Sequence, residues 1–160
     1  MSKTLFLDYD GVLHPASVWF NNGEIQLDSE DENLFLFCWA PLLESILDDE
    51  DPQGQIGIVL STTWGHRYGW KVAAKRLTPG LQNRVKGGTT GYPQSRGRQI
   101  EMYAEDVRMP HNDWVAIDDD DYWWPERHLD KLVKTDPDLG ILCKNTQQLL
   151  RLKLRELLLR

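Results

Sequence analysis

Three short apolar runs constrain this chain most, because each ends abruptly in acids or hydroxyls. Leu5-Phe6-Leu7 meets Asp8-Tyr9-Asp10-Gly11, Ile58-Val59-Leu60 meets Ser61-Thr62-Thr63, and Trp114-Val115-Ala116-Ile117 meets Asp118-Asp119-Asp120-Asp121. An apolar run of this length, bounded by turn residues, reads as a buried strand. Stretches with helical spacing separate the runs, so the expected fold class is α/β, a mostly parallel sheet flanked by helices. In open sheets of that kind, ligands bind outside the carboxyl ends of the strands. If the three strands are parallel neighbours, their polar ends meet on one edge. A scattered set of residues then becomes one candidate site.

The rest of the chain fills in around these strands. Residues 17–20 and 24–28 flank Asn21-Asn22-Gly23, a hairpin signal that predicts a small flap after the first strand. Residues 32–47 carry apolar positions at helical spacing, with Pro41 marking a kink or the true start. Further helices are expected over 64–76 and 97–107, and from a cap at Asn145 or Thr146 through Leu159. The Gly- and Pro-rich residues 78–94 hold at most a short strand near 84–86, and 139–143 reads as a last strand. No repeat or linker divides the sequence, which predicts a single domain over residues 1–160.

The formal charge of -7 argues against a general binder of nucleic acid or anionic membrane. That charge is unevenly spread. Residues 1–63 hold one Lys against 12 acids, whereas residues 64–108 hold nine basic residues against three acids, a net of +6. A basic island therefore follows Ser61 directly. Only Cys38 and Cys143 are present, too few for a disulfide framework, and no signal or membrane-spanning segment is apparent. The expected compartment is cytoplasmic, with no membrane partner.

Several carboxylates at one point repel one another unless a cation intervenes. Oxygen-only ligands suit a hard ion, and few protein ligands suit Mg²⁺. His14, His66, His111 and His128 lack zinc-ligand spacing. An Asp can attack phosphorus as a nucleophile, while a second carboxyl protonates the leaving oxygen and later activates water.

The run Leu5-Phe6-Leu7-Asp8-Tyr9-Asp10-Gly11-Val12-Leu13 resembles the first motif of the haloacid dehalogenase-like (HAD) superfamily. Ile58-Val59-Leu60-Ser61 is similar to its second motif, and Trp114-Val115-Ala116-Ile117-Asp118-Asp119 to its fourth. The resemblance implies a Rossmann-like fold and a role for each matching position. Asp8 is implied as nucleophile and metal ligand, and Asp10 as general acid and base, with its backbone carbonyl on the metal. Ser61, with Thr62 beside it, is implied as a holder of phosphoryl oxygens. Asp118 and Asp119 are implied as the residues that complete or orient the Mg²⁺ site. Asp10 favours phosphatases, because the dehalogenases lack this second Asp.

The third motif departs from the pattern. Where the family usually has Lys-Gly-x-x-Ile, this chain has Arg96-Gly97-Arg98-Gln99-Ile100. Either Arg96 supplies the positive charge and joins the substrate-binding residues, or Lys86 or Lys71 does. A finer resemblance, carried by Leu60-Ser61-Thr62-Thr63-Trp64, Ala116-Ile117-Asp118-Asp119-Asp120 and residues 134–142, is to the HAD-like domains of Swiss Army Knife RNA repair proteins.

The residues between the motifs leave no room for a large cap domain. Together these features imply a Mg²⁺-dependent phosphomonoesterase acting through an aspartyl phosphate on a phosphorylated substrate, a small molecule or a nucleic-acid end. Two alternatives stand beside it: a dedicated nucleic-acid end phosphatase that uses the basic island, and a non-catalytic HAD-like binding module. Blander roles compete at single positions. Ser61 and Thr62 also suit a helix cap, Asp120 and Asp121 suit a turn, His14 suits a structural role, and Trp64 suits packing. The leucine-rich last helix must cover the sheet, and its excess apolar surface fits a monomer or a weak homodimer.

Overall fold

A computed structural model describes residues 2–92 and 94–160. In chain order the strands are β1 (Lys3–Leu7), β2 (Val18–Asn21), β3 (Glu24–Leu27), β4 (Ile56–Leu60), β5 (Val85–Gly88), β6 (Trp114–Asp118) and β7 (Leu132–Lys134). The helices are α1 (Ala40–Glu50), α2 (Thr63–Tyr68), α3 (Trp70–Ala74), α4 (Pro79–Arg84), α5 (Arg96–Asp106) and α6 (Lys144–Leu159). Five strands form one sheet in the order β5-β4-β1-β6-β7, and every pairing in it is parallel. The antiparallel pair β2–β3 stands apart as the expected hairpin flap.

Strand alternation divides the apolar residues between the two faces of the sheet. Leu5, Leu7, Ile58, Leu60, Val115 and Ile117 pack with Leu43, Ile46 and Leu47 of α1 and Leu150, Leu154 and Leu157 of α6. On the opposite face Phe6, Val59, Trp114 and Ala116 pack with Ile100 and Ala104 of α5. Burial on both faces explains why the three central strands read as unbroken apolar runs rather than as alternating ones. Between β1 and β4 the chain builds only the hairpin and α1, so the fold is Rossmann-like and carries no large cap.

Several expected elements are placed differently. Of the two readings of Pro41, the true start holds: the helix expected within 32–47 begins at Ala40, with Pro41 in its first turn, where its missing N–H costs nothing. Phe37 interrupts the helical spacing upstream with a φ of 64°. The helix expected over 64–76 breaks into α2 and α3 at Gly69, whose φ of 81° suits a residue without a side chain. Residues 139–143 form no strand; Gly140–Leu142 is a single 3-10 turn. The fifth strand is β7 instead, only three residues long and so too short to show a period. α4 lies inside the stretch expected to be largely irregular. α6 starts one residue before Asn145, with Cys143 at its cap position and no side-chain cap.

Candidate active site

Parallel pairing brings the three strand ends level. Leu7 is in register with Leu60 on one side and with Ile117 on the other. Asp8, Ser61 and Asp118, each one step beyond those positions or at them, therefore emerge on the same edge. Backbone bonds fix the level further: the Asp8 N–H donates to Ile117 at 3.2 Å, and the Ser61 N–H donates to Leu7 at 3.0 Å. The Thr135 hydroxyl donates to the Gly11 carbonyl at 2.6 Å and pins the turn that follows Asp10.

At this edge Asp8, Asp118 and Asp119 each offer a carboxylate oxygen, and the three oxygens lie within 4.8 Å of one another. Arg96, the first residue of α5, reaches between two of them. Its Nη1 is 2.7 Å from Asp118 and 3.1 Å from Asp8. Of the three candidate cations, Arg96 is the one that reaches these carboxylates. The other two cations turn elsewhere. Lys86 donates to the Lys3 carbonyl at the far end of β1, and Lys71 lies over the Trp70 ring.

Burial raises the Asp118 carboxyl well above its ordinary range, and the neighbouring Asp8 adds to the rise. The same two causes push Asp119 up to about 6. For Arg96, burial works against the charged form, but Asp8 and Asp118 outweigh it and hold the guanidinium charged. One guanidinium does not balance three clustered carboxylates. The set is oxygen-only and partly buried, which fits a hard divalent cation such as Mg²⁺. Gly11 makes room for it: with φ at +76°, it lets the Asp119 carboxylate approach where any Cβ would collide.

Asp10 stands outside this cluster and is held by a different pair of groups. The His14 Nδ1 accepts the Phe37 N–H at 3.0 Å, so the proton of the neutral ring sits on Nε2. That Nε2 lies 2.8 Å from Asp10 Oδ1, and the Trp64 indole N–H donates to the same oxygen at 3.0 Å. One carboxylate oxygen is thereby fully engaged, while Oδ2 is left for chemistry. His14 is wholly buried and Trp64 is nearly so. The His14, Phe37, Trp64 and Tyr9 rings pack edge to face around one another. This packing holds Phe37 in its left-handed conformation, which otherwise costs about 1–3 kcal/mol. Tyr9 itself points inward and donates to the Ala73 carbonyl at 2.9 Å.

The hydroxyl residues divide by role. The Ser61 Oγ is buried and has no hydrogen-bond partner among the described residues. Thr62 caps α2, accepting the Trp64 N–H at 3.3 Å. Thr89, directly after β5, repeats the Ser61 arrangement: its hydroxyl is also buried, with no partner among the described residues. Asp120 and Asp121 serve the turn, where Asp120 donates its N–H to Asp118 and accepts from Tyr122, while Asp121 pairs with Lys134.

Reading residue types alone gives His14 a structural role and Trp64 a packing role without their shared contact to Asp10, and it passes over Thr89. A hint lay in the position of His14, four residues after Asp10. Thr89 sits in a Gly-Gly-Thr-Thr stretch whose place at a strand end becomes visible only through β5.

A parallel sheet with acids at its central strand ends, a hairpin after β1 and no cap defines a HAD-like domain. Residues 4–145 match the family described as the HAD domain in Swiss Army Knife RNA repair proteins, and the chain belongs to that family. Membership places it with HAD-type hydrolases at the level of the superfamily. No curated protein and no solved structure matches the chain. Among the described residues, no helix is long and apolar enough to cross a membrane.

Proposed function

We propose that the protein is a Mg²⁺-dependent phosphomonoesterase that works through an aspartyl phosphate on Asp8. One observation carries this reading: Asp8 lies beside Asp118, Asp119 and Arg96, while Asp10 is held separately with one oxygen free. In the first step an Asp8 oxygen attacks phosphorus, the bond from phosphorus to the ester oxygen breaks, and the proton on Asp10 Oδ2 passes to the leaving oxygen. In the second step Asp10 takes a proton from water, the water oxygen attacks phosphorus, and Asp8 is released with inorganic phosphate. Arg96 and the Ser61 hydroxyl hold the phosphoryl oxygens. Asp8, Asp118, Asp119 and the Asp10 carbonyl are suited to hold Mg²⁺, which supplies electrostatic stabilisation of the phosphoryl group.

The decisive test is phosphate release from p-nitrophenyl phosphate with and without Mg²⁺. Wild-type protein should turn over only with the cation, and Asp8→Asn should abolish turnover while keeping the fold by circular dichroism. Equal turnover by Asp8→Asn removes Asp8 as nucleophile. A stable fold that hydrolyses no phosphomonoester supports the non-catalytic module instead.

A second reading, a nucleic-acid end phosphatase, draws on the RNA repair named in the family's description and on the net +6 charge of residues 64–108. An oligonucleotide panel with a terminal 3′- or 5′-phosphate tests it. Turnover should exceed that of sugar phosphates and fall steeply with salt.

A further inference from the structure

A cavity of about 500 Å³ lies between the β2–β3 hairpin and α2, within the about 300–1,000 Å³ typical of small-molecule sites. Of the site's carboxylates only Asp10 lines it; the others are Val18, Trp19, Phe20, Ile25 and residues of α2. Whatever enters it therefore lies against the proton donor rather than against the nucleophile. The strand register puts Val18, Phe20, Ile25 and Leu27 on one face of the hairpin. Phe20 and Trp19 are each 51% exposed, so both rings offer surface to a ligand. The Arg67 guanidinium lies 4.1 Å over the Phe20 ring, and among the described residues no carboxylate pairs with it. Two flat groups, one from the hairpin and one from α2, thus form a stack whose own cation, Arg67, is not balanced by a carboxylate among the described residues. Asp10, Thr63, His66 and Arg67 supply polar groups to these walls, while Val18, Phe20 and Ile25 supply apolar area that a planar ring covers and a polyol does not.

We propose that this cavity binds the leaving group of the phosphoester, and that the leaving group carries a planar aromatic ring of the nucleobase kind, which extends the Phe20–Arg67 stack. The inference rests on the phosphatase reading for the word leaving group, while ring binding is testable apart from it. Arg67 adds attraction for the phosphates of a nucleotide. A free nucleotide and the terminal nucleotide of a strand share this chemistry.

The experiment titrates adenosine into wild-type, Phe20→Leu and Phe20→Trp proteins by isothermal calorimetry, each checked for fold by circular dichroism. Phe20→Leu keeps apolar bulk but loses the flat ring, so affinity should fall about tenfold, and Phe20→Trp should restore it. In parallel, kcat/KM is compared for 3′-AMP, 5′-AMP, glycerol 3-phosphate and a tetranucleotide with a terminal phosphate. A nucleotide should exceed glycerol phosphate by about tenfold or more, and Phe20→Leu should narrow that ratio. A further gain for the tetranucleotide identifies a strand end; equality with the mononucleotide identifies the free nucleotide. Adenosine binding that is absent, or equal in Phe20→Leu and wild type, overturns the inference. Phe20-dependent adenosine binding with no phosphate released from any ester overturns the phosphatase reading and leaves the ring site standing.

Discussion

His14 Nε2 lies 2.8 Å from Asp10 Oδ1, and the Phe37 N–H on the other ring nitrogen fixes which tautomer makes that contact. His14 therefore acts through Asp10, as a positioning residue that leaves Oδ2 as the oxygen able to carry a proton. His14→Phe keeps the ring and removes both bonds. We expect kcat to fall about tenfold to a hundredfold with little change in KM. The loss should be larger for alkyl phosphates than for p-nitrophenyl phosphate, because nitrophenolate leaves without a proton. Trp64→Phe should act in the same direction. Equal losses on both esters would show that His14 serves folding alone.

Ser61 carries a prediction of opposite signs. Its buried hydroxyl has no partner among the described residues, so Ser61→Ala removes an unsatisfied polar group worth about 1–3 kcal/mol. Urea denaturation of the free protein should show unchanged or higher stability. Binding of a phosphate mimic such as beryllium fluoride with Mg²⁺, read as a rise in Tm, should weaken. A destabilised Ser61→Ala protein with normal mimic binding would contradict this role.

Arg96 separates geometry from charge. Arg96→Met leaves Asp8 and Asp118 without their shared cation, and breaking a buried pair in this way costs about 3–5 kcal/mol. Mg²⁺ should recover part of the lost stability. Arg96→Lys should be milder in stability, since one ammonium retains the charge but loses the planar fork. Thermal unfolding with and without Mg²⁺ checks the order wild type, Lys, Met.

Gly11→Ala tests the approach of Asp119. A Cβ there collides with the Asp119 carboxylate, and the φ of +76° adds about 1–2 kcal/mol of strain. Mg²⁺ affinity by calorimetry should fall about tenfold or more as Asp119 is displaced. Unchanged affinity would place Asp119 outside the cation site.

Lys131 gives a pH signature far from the site. It is 2% exposed, with Nζ 4.2 Å over the Trp114 ring, and burial lowers it to about 8. The unfolded chain keeps that proton to about pH 10.4. Between these values the unfolded state binds more protons, so this group's contribution to stability rises with pH from about 8 to about 10 and is lost as pH falls through 8. Lys131→Met should flatten the trend in chemical denaturation. A slope identical in both proteins would rule out Lys131 as its source.

Much of the scaffold was legible because a strand buried on both faces must be apolar throughout. Leu5 to Leu7, Ile58 to Leu60 and Trp114 to Ile117 announce themselves in this way, and the residues after them must be polar where the chain leaves the sheet. β7 gave no such signal: with three residues, Leu132–Lys134 has no period, and its place comes from pairing with β6. The start of α1 stayed open between a kink at Pro41 and a true start there, because residues 32–39 keep helical apolar spacing; Phe37, turned into the left-handed region among the rings around it, decides for the start.

The sequence by itself determined which residues could share an edge: Asp8, Asp10, Ser61, Asp118 and Asp119 follow apolar strands, and local burial and turn preferences are enough to read that. Only the tertiary structure decided which cation joins them and which groups hold Asp10. Arg96, Lys86 and Lys71 carry the same charge in the sequence, and Arg96 alone among them reaches Asp8 and Asp118, because α5 begins at that edge. His14 and Trp64 meet on one oxygen of Asp10 although they are 50 positions apart in the sequence, because β1 and β4 pair side by side. Periodicity reports what a residue buries; it carries no record of which distant side chain lies at hydrogen-bond distance, since that follows from the sheet order.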